Sequence, residues 1–174
     1  MKNLFSLKFF IITLIIVLAV LTRFLPTPPN FAPIAAIALF GGTFFADRRL
    51  AFLIPLLAML LSDIFLGLHS TLLFVYGAFA LIVLIGMKLG KNLNPLRLTG
   101  AALAGSTLFF IITNFGVWLI SAYYPLTPAG LIACYTAAIP FFHYTILGDL
   151  FYTAVIFGSY ELARRSVPAL QQTA

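Results

Sequence analysis

The sequence predicts an all-α integral membrane bundle of six transmembrane helices forming one domain over residues 1–174. Three observations predict it. Hydrophobic residues make up 63% of the chain and charged ones only 8%, too few polar side chains to build a water-facing surface. Six apolar runs are bounded by charge, Pro or Gly. Lys and Arg, which give a net charge of +6, fall in short clusters between those runs, as topology signals do, and not in a nucleic-acid-binding patch.

A spanning helix needs about 20 mainly apolar residues. The runs lie at roughly 5–22, 31–46, 50–67, 70–87, 99–121 and 141–161. The first follows Lys2 and Lys8 and has the charge and length of a signal peptide, yet no small-x-small cleavage site precedes Arg23, so it reads as an uncleaved helix. The second is short and ends in Gly41-Gly42, which calls for tilt or burial among its neighbours. With the N-terminus inside, Lys2, Lys8, Arg48, Arg49, Lys88, Lys91, Arg97, Arg164 and Arg165 all lie on the cytoplasmic side, nine of the ten basic residues. Only Arg23 lies outside. Both termini are therefore expected in the cytoplasm.

Two outer connections are rich in proline: Phe24 to Pro33, and Tyr123 to Pro140. Pro lacks a backbone donor and resists helix continuation. The apolar stretch Ala129 to Ile139 is too short to span, so it is expected to lie at the interface or to dip back as a lid. Small residues recur one turn apart at Gly86 and Gly90, Ala101 and Gly105, and Ala154 and Gly158. Such pairs let helices approach closely, within one protein or against a partner subunit.

The candidate site comes from polar groups inside apolar runs. Asp63 near the outer end of the third span and Asp149 in the sixth each cost several kcal/mol in lipid unless paired, protonated or hydrated. Thr145, Asp149 and Tyr152 share one helix face. His143 lies about 120° from Asp149 around that helix. Thr107, Asn114, Trp118 and Ser121 form a stripe on the fifth helix that should face protein, although Trp118 also suits the aromatic belt. Arg23, Asn30 and His69 sit at similar depth in the outer connections. Arg23 breaks the charge rule, so it calls for an anionic partner, either Asp63, a ligand acid or a lipid phosphate. The single Cys134 excludes an internal disulfide. No HExxH, GxSxG or phosphate loop is present, so no catalytic residue, metal or cofactor is expected.

The run "NFAPIAAIALFGG", the segment "PLLAMLLSDIFLG", the later "LGDLFY" and the six-helix topology resemble the substrate-binding S-components of energy-coupling factor transporters, or a related uncharacterised bacterial six-helix membrane family. The resemblance implies a bacterial inner-membrane protein that captures a vitamin-like solute at its outer side, in the lipid bilayer, with a coupling subunit and ATPases as partners. Asp63, Asn114, Trp118, Asp149 and Tyr152 are expected to line the pocket, with Arg23, Asn30, His69 and His143 near it. S-components commonly carry an AxxxA docking motif on the first helix. Here the match, Ala32 and Ala36, falls at the start of the second. A structural or assembly subunit, and an enzyme acting on lipid through Asp149 and His143, are the alternatives.

Overall fold

A computed structural model describes residues 7–90 and 93–167. Lys2 and Lys91 lie outside them. Six α-helices follow in order: α1 (Leu7–Leu21), α2 (Ile34–Phe44), α3 (Arg48–Leu66), α4 (Leu72–Leu89), α5 (Pro95–Ile120) and α6 (Pro128–Ser166), with a short 3-10 turn, Thr22–Phe24, after α1. Counting that turn with α1, five of the helices are long and apolar enough to cross a membrane.

The exception is α2, whose 11 residues extend only about 16 Å at 1.5 Å per residue, against a hydrocarbon core of about 30 Å. Every residue from Ala35 to Gly42 is buried. The expected sixth span is thus a short strut wrapped by its neighbours. Glycine makes this possible. A Cβ on Gly42 would drive into the Val83 carbonyl of α4, and one on Gly86 into the Leu39 carbonyl of α2. The Thr43 hydroxyl stands 2.7 Å from the Leu39 carbonyl and 3.1 Å from that of Gly86, where the two backbones meet. On another face, Gly41 receives the ring of Pro55 from α3. Phe40 and Phe44 pack against Phe157 and Tyr160 of α6.

Local sequence sets the helix starts. Asp47 accepts from the Arg49 and Leu50 amides at 2.7 and 3.4 Å and caps α3. Asn94 accepts from Arg97 at 2.8 Å, with Pro95 in the first turn of α5. Thr127 accepts from Gly130 at 3.2 Å, with Pro128 opening α6. These side chains occupy amides that a helix start leaves without partners.

α6 corrects the sequence reading. Residues 129–139 are neither a lid nor a separate interfacial helix but the first turns of a 39-residue helix that continues through Pro140. The Tyr135 hydroxyl donates to the Ile111 carbonyl at 2.6 Å, and the Cys134 thiol to that of Asn114 at 3.4 Å, so this stretch is bonded to α5. Proline removes one donor, a loss that packing against a neighbouring helix offsets inside a membrane protein.

Of the three small-residue pairs, two serve internal packing at one member each. Gly86 meets α2, and Gly105 lies 3.5 Å from Ala35 and Ile82, measured from its Cβ position. Gly158 faces open space. Gly42→Val or Gly86→Val is therefore expected to destabilise the fold by about 1–3 kcal/mol through overpacking. Gly158→Ala should be neutral or stabilising by up to about 1 kcal/mol. Thermal unfolding in detergent, followed through thiol accessibility of Cys134, checks both signs.

Candidate functional site

The chain enters α2 through a loop, residues 25–33, that ends on Asn30, Phe31, Ala32 and Pro33. Asn30 adopts a positive φ of 65°, a left-handed conformation that Asn tolerates better than most residues. The turn brings the start of α2 up against α6 at Gly148, where an added Cβ would lie 3.1 Å from the Ala32 nitrogen and the Phe31 Cα. The neighbouring Asp149 then reaches the start of α2. Its carboxyl accepts from Ser106 of α5 at 2.6 Å and faces the backbone amide of Ala35. A carboxylate at a helix N-terminus meets otherwise unpaired amides and the positive end of the helix dipole. Asp149 is 2% exposed, and its partners are neutral donors.

Asp63 is held differently. Arg23, carried by the 3-10 turn after α1, places Nη2 2.7 Å from Oδ1 of Asp63. Its Nη1 reaches Ser62 as well as Met59. The Tyr76 hydroxyl of α4 donates to Oδ2 at 2.7 Å. Arg23 thus has an anionic partner within the chain, and both oxygens of Asp63 are engaged.

Between these two carboxyl groups lies a cavity of about 400 Å³. Arg23, Asn30, Asp63, His69, Asn114 and Asp149 all line it, with Thr113 and Thr145 adding hydroxyls and Ile34, Val75, Phe109 and Phe110 adding apolar wall. The Asn114 amide nitrogen donates to the Phe110 carbonyl at 2.8 Å, which leaves the carboxamide oxygen as an acceptor. His69 is exposed at the α3–α4 connection, its Nδ1 2.8 Å from the Thr71 hydroxyl. The arrangement surrounds the space with an internal ion pair, hydroxyl and carboxamide groups, and apolar wall that includes two phenylalanines.

Three expected residues do not line this cavity. Trp118 donates to the Pro125 carbonyl at 3.0 Å and packs on Phe115, so it ties the end of α5 to the next connection. Tyr152 is buried against Phe31 and Phe151. His143 is exposed and packs on Tyr144. For His143 the helical angle already separated it from Asp149. For Tyr152 the shared face was right in direction, but the loop before α2 covers it.

Tyr76 and Ser106 were missed. Ser106 sits one position from Thr107, which is exposed and bonds back to Leu103 at 2.8 Å. The available signal was its place beside Ala102 and Gly105, since a hydroxyl on a small-residue face must meet a neighbouring helix. Tyr76 carries no such signal beyond the need of Asp63 for donors. Among the described residues, no three His, Cys, Asp or Glu side chains group at metal-binding separation.

The docking-motif match is also placed. Ala36 is fully buried inside the bundle, so the Ala32–Ala36 pair does not form an outward surface.

Removing one member of a buried ion pair strands the other charge, at a cost of about 3–5 kcal/mol, whereas replacing both with apolar groups is often tolerated. Arg23→Met should therefore lower thermal stability in detergent sharply. Arg23→Met with Asp63→Leu should recover most of the loss.

No curated protein and no solved structure matches the chain. The model of DUF6580, a family of unknown function, matches residues 3–170, so the chain belongs to the DUF6580 family.

Proposed function

We propose that this protein is a solute-binding membrane protein that takes up a small vitamin-like molecule in the cavity between Asp63 and Asp149. The observation that carries the reading is convergence. Side chains from the Arg23 turn, the loop before α2, α3, the α3–α4 connection, α5 and α6 bring six of the nine sequence-chosen residues around one space of about 400 Å³. That volume falls in the range of small-molecule sites, about 300–1,000 Å³.

The distribution of basic residues orients the protein with both termini in the cytoplasm and this cavity at the outer side of a bacterial inner membrane. Solute then enters from outside. The S-component resemblance extends the proposal to a partner coupling subunit and ATPases that would energise release. It is a binding and transport role, not catalysis.

A second reading is favoured by the internal partners of both carboxyl groups. The Arg23–Asp63–Tyr76 set and the Ser106–Asp149 contact are what a structural subunit would also need. The two readings part on ligand. Mass spectrometry of small molecules retained by the purified protein should find a bound solute. Asn114→Leu should lower its retention about tenfold with little change in unfolding temperature, because that amide bonds only its own helix. Protein that retains no solute and binds none from a vitamin panel supports the structural reading instead.

A further inference from the structure

The hydrogen-bond donors on the inner wall of the solute cavity are already in use. The Thr113 hydroxyl donates to the Phe109 carbonyl at 2.7 Å, and the Thr145 hydroxyl to that of Phe141 at 3.5 Å, each one turn back on its own helix. A hydroxyl has one hydrogen and two lone pairs, so both keep acceptor capacity and no free donor. The Asn114 amide nitrogen also donates one turn back, to Phe110 at 2.8 Å. Its carboxamide oxygen has no partner among the described residues. Arg23 turns its guanidinium to Asp63, Ser62 and Met59 of α3. What this wall presents to a solute is therefore mainly lone pairs. Side chains that can donate or accept, Asn30 and His69, stand where the cavity meets its exposed rim.

Formal charge points the same way. Arg23 and Asp63 cancel each other at 2.7 Å. Asp149 has only neutral partners, the Ser106 hydroxyl at 2.6 Å and the Ala35 amide. Ser106 has a second acceptor in reach, the Ala102 carbonyl at 3.0 Å, which competes for its one hydrogen. Among the described residues, no Lys and no Arg besides Arg23 borders the cavity, and His69 is exposed beside Thr71. A carboxylate inside a membrane protein is costly without a counter-charge. One that enters with a solute supplies it.

Asp149 is itself nearly covered, at 2% exposure. It acts on the cavity through its charge, an interaction that falls off only as the inverse of distance and is strongest where water is excluded, and not through a contact of its own. Direct hydrogen bonds come instead from the oxygens of Asn114 and Thr113, both half-buried on α5.

We propose that the solute of this cavity is an organic cation, a small molecule whose basic nitrogen carries several N–H groups, as in an ammonium, an amidinium or a protonated amino-heterocycle. The inference rests on the solute-binding reading above and names its ligand class. The N–H groups donate to the Asn114 and Thr113 oxygens, the positive charge faces Asp149, and the carbon skeleton lies on the wall that Phe109 and Phe110 provide. A carboxylate or phosphate would bring lone pairs to lone pairs and a second negative charge to Asp149, so anions are turned away. A bare metal ion fits less well. Among the described residues, no three His, Cys, Asp or Glu side chains group at metal-binding separation, and apolar wall gives a metal no ligands.

The test is equilibrium dialysis of the full chain in mild detergent against three probes of one shape: benzamidine, a cation; benzamide, neutral; and benzoate, an anion. Benzamidine should bind about tenfold more tightly than benzamide, and benzoate more weakly than either. Asp149→Asn keeps the size of the side chain and should lower the benzamidine-to-benzamide ratio on the order of fivefold. Asn114→Asp adds a charge to the wall and should raise that ratio by a similar factor. Because the readout is a ratio of affinities, partial loss of folded protein does not move it. Benzoate bound as tightly as benzamidine overturns the inference, as does a ratio unchanged in Asp149→Asn. Binding of none of the three also overturns it. In that case an anionic solute retained by the purified protein, seen by mass spectrometry, leaves the solute-binding reading standing, whereas retention of no solute removes both.

Discussion

The structure depends on how closely α2 can approach α4. A helix of 11 residues is too short to cross a bilayer by itself, and its ends would leave backbone groups in hydrocarbon. It is stable here because Gly42 and Gly86 bring the two backbones together, and because α3 and α6 close over its remaining faces. With no hydrophobic drive between helices in lipid, this close packing is the main source of association. Two spaces among the described residues border that short strut. Its start borders the cavity at the proline-rich end, and its last turn floors a groove at the basic end.

The two carboxyl groups at the proline-rich end are accommodated by different physics. Asp63 meets the Arg23 guanidinium, and the Tyr76 phenol completes a compact set in which charge is balanced. Asp149 meets hydroxyl and amide dipoles instead, at the open end of a helix. Both arrangements lower the cost of a carboxyl group in lipid, and both leave the groups bordering the same cavity. A structural requirement and a binding surface coincide there, which is why ligand retention separates the two functional readings and geometry does not.

Charge and packing also divide the molecule along its length. At the proline-rich end, α6 continues through Pro140 and is bonded to α5, so that end is held by side-chain-to-backbone bonds. At the basic end, the small pair Ala154 and Gly158 lies beside open space, with cations above it. The same sequence pattern, small residues one turn apart, closes an interface at Gly86 and leaves a groove at Gly158.

From residues alone came the helical membrane class, the approximate bounds of α1, α3, α4 and α5, the need of the short second run for tilt or burial, and six of the residues that border the cavity. These follow from local quantities: hydropathy summed over about 20 positions, capping chemistry, and the cost of a polar group in lipid. Tertiary structure decided the rest. It turned the supposed lid into the start of α6, because a proline's effect depends on what the neighbouring helix offers. It gave Arg23 to Asp63 and Ser106 to Asp149, and it moved Trp118, Tyr152 and His143 out of the cavity. Which polar groups meet is set by the rotation and approach of whole helices, and that approach is governed by a few glycines whose contacts lie far away in sequence.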